Sequence, residues 1–156
     1  MKKIMVLIAL ILCSASSPSP PPDEPPSKHH QYFAEALKAQ NKRDYAAAIE
    51  LYQAAISEKK DDADAWNNMG YCYRMTAKGY LDKAGDAYAK AINYNPEHEA
   101  ALEYQGEYFV MVGQLMSAYR NYQALEKMDS DEAKKVKAKL DSVLEEAQAV
   151  LKIYQP

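Results

Sequence analysis

Large apolar residues alternate with very small ones at helical spacing from Trp66 to Pro96, in the stretch WNNMGYCYRMTAKGYLDKAGDAYAKAINYNP. Trp66, Met69, Gly70 and Tyr73 fall on one face of a first helix. Ala84, Tyr88 and Ala91 fall on one face of a second, which stops before Asn95-Pro96. Small side chains opposite large ones let two helices cross at short distance, so this stretch predicts a helical hairpin. The pattern recurs. A shift of 34 residues towards the N-terminus sets Tyr32, Ala36 and Ala39 against Trp66, Gly70 and Tyr73, and a shift of 36 sets Ala48, Tyr52 and Ala55 against Ala84, Tyr88 and Ala91. A shift of 36 residues the other way gives Leu102, Gly106 and Phe109, then Gly113 stands at the turn, and a shift of 34 gives Ala118, Tyr122 and Leu125. Each hairpin alone leaves an apolar face in water, so the three must stack, with Tyr52, Tyr88 and Tyr122 filling the space between neighbouring pairs.

The departures from the repeat carry information. The first copy lacks Trp, Gly and a terminal Pro, as an end copy tolerates, and the second has two extra residues between Tyr73 and Gly79. The third has Ser130 where the second has Pro96. Asp62 is the expected cap of the helix carrying Trp66, and Asn95 the expected cap of the next inner helix, with Pro96 at its first position. Beyond the repeats, Val136, Leu140, Val143, Leu144, Ala147, Leu151 and Tyr154 recur at helical spacing. They predict one long helix over 129–154, started by a capping box of Asp129 and Glu132. Lys134, Lys135, Lys139, Asp141, Glu145 and Glu146 lie on its opposite face, and its far end leaves Val150, Leu151 and Tyr154 for pairing with a second copy.

This arrangement resembles the tetratricopeptide repeat, whose pattern is a Trp, a Leu-Gly pair, a Tyr, then Ala, Phe or Tyr, Ala and Pro. The resemblance covers residues 29 to 130 closely and the closing helix loosely. It implies an all-α fold, an α-solenoid of three tetratricopeptide-like helix-turn-helix repeats plus a C-terminal capping helix. The boundaries are 29–62, 63–98 and 99–130 for the repeats and 131–156 for the cap. In the resembled family the first helices line a groove for peptides, through the second, fifth, ninth, twelfth and thirteenth positions of each repeat. Here those positions hold His30, Phe33, Leu37, Gln40 and Asn41, then Asp64, Asn67, Tyr71, Arg74 and Met75, then Ala100, Glu103, Glu107, Val110 and Met111. Of these, His30, Phe33, Leu37, Asn67, Tyr71, Arg74, Glu103, Glu107 and Met111 are the candidate partner-binding residues. Cytosolic chaperone-binding members clamp a C-terminal carboxylate with Lys, Asn and Arg at the fifth and ninth positions. Glu103 and Glu107 stand at two of them here, so the resemblance implies a groove that is apolar at one end, acidic at the other, and suited to a segment with a basic end.

The N-terminus has a different character. Lys2 and Lys3 precede an unbroken apolar run from Ile4 to Leu12, and small residues follow, the shape of a signal peptide over 1–17. Cleavage after Ala15 or Ser17 fits, and Leu10-Ile11-Leu12-Cys13 offers the alternative of a lipid anchor on Cys13, although Leu12 stands where a lipobox prefers a small residue. A linker over 18–28 follows, holding six of the eight prolines and preferring extended polyproline II. The expectation is export to a bacterial periplasm or envelope, with membrane contact only through a lipid at Cys13.

Composition narrows the function classes. The net charge is -3, and loss of Lys2 and Lys3 with a leader leaves 17 basic against 22 acidic residues, with no basic stripe for a nucleic acid. Cys72 is one thiol in a helix, read as a small buried apolar residue. His29, His30 and His98 have no second ligand at helical spacing, no phosphate loop or serine elbow is present, and neither a cofactor nor a metal is expected. Repeat packing accounts for about half of the 13 tyrosines. The expected work is non-catalytic: a scaffold or adaptor for a protein or peptide segment. The alternatives are a self-associating assembly factor using the C-terminal helix, and an accessory domain of an envelope enzyme.

Overall fold

Ala48, Ala84 and Ala118, the small residues that the repeat places at each hairpin crossing, are all fully buried. The computed structural model of the chain describes residues 25–76 and 80–153, so the expected leader and the linker up to residue 24 lie outside the described residues. Seven helices run in order among the described residues: α1 (Lys28–Asn41), α2 (Tyr45–Glu58), α3 (Ala63–Thr76), α4 (Leu81–Tyr94), α5 (Glu99–Met111), α6 (Leu115–Lys127) and α7 (Glu132–Ile153). The described residues form no strand. α1 packs on α2, α3 on α4 and α5 on α6 as hairpins; α2 packs on α3 and α4 on α5 between hairpins; α7 lies against α5 and α6.

The turns inside the first and third hairpins, and the turn into α7, are built alike. Arg43, Gly113 and Asp129 each take a left-handed backbone, with φ of 63°, 78° and 55°. In each, the following residue donates back five positions: Asp44 N to Ala39 O, Gln114 N to Phe109 O and Ser130 N to Leu125 O. This is the helix-ending motif that ties off orphan carbonyls. Asp129 therefore closes α6 and does not cap α7, correcting the expected capping box. The Ser130 hydroxyl accepts from Glu132 N at 3.2 Å and donates to Glu99 at 2.6 Å, so the residue standing in place of proline starts α7 and ties it to α5.

Asp62 caps α3 as expected, accepting from Ala65 N at 3.0 Å. Asn95 does not cap α5. It accepts from Glu97 N at 3.1 Å in a local turn, and His98 is the cap, its Nδ1 accepting from Ala101 N at 3.2 Å. The His98 Nε2 then carries the proton and donates to Asp64, 3.1 Å away on α3. The connection inside the second hairpin spans 77–80, one residue more than the 42–44 of the first.

Two buried clusters make the core. One gathers Ala36, Ala48, Tyr52, Ile56, Ala65, Met69, Cys72 and Ala87, and the other Leu102, Ala118, Leu125, Ala133, Val136 and Leu140. Tyr52 and Tyr88 are fully buried between hairpins, as the repeat requires. Tyr122 is only half-buried, lining an open cavity between α6 and α7. A Cβ on Gly70 would meet the Tyr88 ring, whereas a Cβ on Gly106 would meet Val136 of α7 at 2.9 Å.

Candidate peptide-binding groove

The groove positions belong to the first helix of each hairpin, α1, α3 and α5, with α7 continuing the row. On α1, Phe33 and Leu37 are half-buried against the first core cluster, and Phe33 meets the Tyr52 ring edge-on at 5.6 Å. Gln40 is a structural anchor, its Oε1 accepting from the Tyr52 hydroxyl at 2.9 Å and from the Cys72 thiol at 3.4 Å. His30 is exposed in the first turn of α1, with Nδ1 2.9 Å from the Ser27 hydroxyl.

On α3, Asn67 is buried, and its Oδ1 has no hydrogen-bond partner among the described residues. Tyr71 is half-buried in a row of aromatic rings that crosses hairpins: Tyr45 stands 6.2 Å away on α2 and Tyr104 5.8 Å away on α5. Arg74 lies over this row, 5.8 Å from the Tyr71 centroid and 5.1 Å from that of Tyr104, with its guanidinium 2.5 Å from the Glu107 carboxylate. Burial, and the neighbouring Tyr45, push the Tyr71 hydroxyl above its ordinary pKa. Met75 and, at the end of α5, Met111 are exposed, 47% and 59% respectively, while Val110 is half-buried.

The acidic end expected from Glu103 and Glu107 is not presented to a partner. Glu107 is consumed by Arg74. Glu103 is 5% exposed, beneath α7, with Lys135 3.4 Å from its carboxylate and Glu132 beside it. Burial, with the hydrogen bond to Glu132, pushes the Glu103 carboxyl up to about 7, while Lys135 beside Glu132 holds that carboxyl below its usual range. The single-helix view missed the partners that do this: Arg74 lies one repeat before Glu107, and α7 replaces the first helix of a fourth repeat. The structure thus brings Tyr71, Arg74 and Glu107 together with Tyr45 and Tyr104, buries Asn67 and Glu103, and leaves His30 and Met111 exposed at separate helix ends.

Cys72 is fully buried, and burial pushes its thiol up to about 12, which keeps it protonated. Among the described residues no group of three or more His, Cys, Asp or Glu side chains is placed to hold a metal ion. No helix among them is long and apolar enough to cross a membrane.

No protein-family model matches the chain. The photosystem I assembly protein Ycf3 of Synechococcus sp. strain CC9902 is 32% identical over 87 residues, 54% of this chain and 49% of that protein. A probable UDP-N-acetylglucosamine–peptide N-acetylglucosaminyltransferase of Arabidopsis thaliana, SPINDLY, is 34% identical over 91 residues, 58% of this chain but 10% of its own length. The chain thus spans about half the length of the first of these relatives, and a small part of the second. Among solved structures, the Sgt2 tetratricopeptide domain of Aspergillus fumigatus superposes with a TM-score of 0.70 at 22% identity, over 80% of this chain and 84% of that one. The second tetratricopeptide domain of Spaghetti (RPAP3), solved with the HSP90 peptide SRMEEVD, gives a TM-score of 0.60 at 18% identity, over 64% and 90%. Repeat register, stacked hairpins, close glycine and alanine crossings and these likenesses agree: the chain has the tetratricopeptide-repeat fold, an all-α solenoid of three repeats with a closing helix.

Proposed function

We propose that the chain is a non-catalytic scaffold that holds a segment of a partner protein on the face formed by α1, α3 and α5, and that it does so in a bacterial envelope. One observation carries the reading: the inner helices pair off their own charges and leave apolar and aromatic surface in the open. Arg74 and Glu107 neutralise each other, and Glu103 is buried beneath Lys135, while Phe33, Leu37, Tyr71, Met75 and Met111 remain wholly or partly accessible. Such a surface suits an extended or helical segment with apolar anchors and little net charge. A strongly acidic tail would find no free cation at the groove positions, since Glu107 holds Arg74. A strongly basic one would find no free carboxylate from Glu103 or Glu107. Peptide binding by a solved domain of the same fold supports the choice of ligand class, and tyrosine supplies apolar area and a hydroxyl at low entropic cost.

The envelope location rests on the Lys2-Lys3 start and the apolar run from Ile4 to Leu12. The mass of the mature protein tests it: cleavage after Ala15 or Ser17, or a lipid on Cys13, supports export, and an intact N-terminus opposes it.

The groove is tested by capturing partners with the wild-type protein and with Tyr71→Ala and Met111→Glu, then titrating peptides cut from the captured protein. Each substitution is expected to weaken peptide affinity by about tenfold or more, as loss of an apolar anchor does, with the helical circular-dichroism signal unchanged. Equal affinity in both variants would exclude the groove.

A further inference from the structure

An apolar concavity lies away from the groove positions, between α6 and α7. Leu115, Met116, Tyr119 and Tyr122 of α6 face Leu140 and Leu144 of α7 around a cavity of about 230 Å³. Met116 is 72% exposed, Leu144 52% and Tyr119 44%, an unusual density of open apolar surface for one face of a small domain. In a solenoid each first helix is covered by its own second helix. α7 stands where the first helix of a fourth repeat would stand, and the concavity is the empty seat of the second. α7 has 22 residues against 13 in α5, so it runs on by roughly 14 Å at 1.5 Å per residue. Beyond Leu140 no residue whose burial is described is fully buried.

We infer that this seat is filled by α7 of a second copy of the chain, the two copies packing α6 and α7 of each into a four-helix interface about a twofold axis. The charges on α7 choose this occupant and its direction. From 134 to 139 the helix carries Lys134, Lys135, Lys137 and Lys139 and no acid; from 141 to 146 it carries Asp141, Glu145 and Glu146 and no base. Two such helices laid antiparallel about Leu140 and Asp141 set the basic half of each against the acidic half of the other. A parallel pairing would set like against like. The residues that α7 contributes to the cavity, Lys137, Leu140, Asp141 and Leu144, have their midpoint at that same place, with Lys137 and Asp141 paired to each other along the free helix and open to exchange partners across the interface. A twofold interface must be complementary to itself, and this sequence is. The interface uses none of the groove positions, so a partner segment and a second copy bind without competing.

Sedimentation analysis of the full chain from about 1 μM to about 1 mM spans the affinities in question. A dimer is expected, with a dissociation constant that rises with salt. Leu144→Glu and Met116→Glu are each expected to raise that constant by about 30-fold or more while leaving the circular-dichroism spectrum and groove binding unchanged. The antiparallel arrangement is read by a charge swap. Lys137→Glu with Lys139→Glu makes one helix dominated by acid, and Asp141→Lys with Glu145→Lys makes one dominated by lysine. Each variant alone is expected to be monomeric and their mixture dimeric. A monomer throughout the concentration range overturns the proposal, as does a dimer indifferent to both apolar substitutions; a mixture of the swapped chains that stays monomeric overturns the antiparallel pairing.

Discussion

Gly70 and Gly85 lie on facing helices of the second repeat, yet their surroundings ask different things of them. A Cβ on Gly70 would stand 2.8 Å from the Tyr88 ring and 3.2 Å from Ala87 Cβ. Tyr88 is fully buried and has nowhere to retreat. A Cβ on Gly85 would stand 2.6 Å from the Tyr108 ring, but Tyr108 is half-buried and its ring can swing towards water. Either substitution to alanine also gains roughly 0.5–1 kcal/mol of helix preference. Gly70→Ala is therefore expected to lose about 1–3 kcal/mol by overpacking, and Gly85→Ala to stay within about 1 kcal/mol of the parent. Urea unfolding of the two variants decides; equal losses would mean that the Tyr88 and Tyr108 rings yield equally. The sequence alone marked Gly70 as a close crossing because Ala36 and Gly106 share its register. Gly85 has no such echo, since Ile49 and Tyr119 stand one residue after Ala48 and Ala118.

At the scale of the helix, patterns of side-chain size travelled from sequence to structure better than caps did. Three alanines at the crossings and the buried Tyr52 and Tyr88 were legible because packing repeats with the period of the chain. The starts of α5 and α7 were not, because a cap is decided by which nearby polar group the last turn aims at the orphan amides. His98 and Ser130 win that role over Asn95 and Asp129, the first engaged in its own turn and the second in a left-handed helix ending. Docking of α7 on α5 creates a further feature that no single helix contains. Glu103 is an ordinary carboxyl near 4.5 in the unfolded chain and is pushed up to about 7 on burial. The folded state holds that proton more tightly, so the stability linked to it is complete below about pH 4.5 and is lost as pH rises through about 7. Glu132, held low by Lys135, acts in the opposite sense, contributing above the ordinary carboxylate value and losing its contribution on acidification below it. Between about pH 5 and about pH 8 the Glu103 effect is left to act. The melting temperature of the parent is expected to fall across that interval, and Glu103→Gln to flatten the fall. A slope unchanged in the Gln variant would remove Glu103 as its cause.

For the molecule as a whole, the sequence made the architecture plain and the groove only half so. Residues of the inner face were found by register, but what they offer a partner depends on neighbours one repeat away. Arg74 cancels Glu107 from the preceding hairpin, and α7 covers Glu103 from the following one. Because a solenoid has only nearest-neighbour interfaces, the closing helix matters in proportion to what it covers. The segment from Glu132 to Leu140 supplies Ala133, Val136 and Leu140 to the second core cluster and seals Leu102, Leu125 and the gap over Gly106. The segment beyond Leu144 covers no part of that cluster among the described residues. Removing residues 145–156 is therefore expected to leave the melting temperature of the monomer within about 3 °C, less than 1 kcal/mol for a domain of this size. Removing 132–156 strips a buried valine and a buried leucine from the last repeat, at a cost of about 3–6 kcal/mol. That loss should fall on the neighbour first. Hydrogen exchange is expected to show α5 and α6 losing protection while α1 to α4 keep theirs, because the first cluster, around Tyr52 and Met69, does not touch α7. Uniform loss of protection along the chain would mean that the three hairpins fold as one cooperative unit, and that the closing helix supports the groove from end to end.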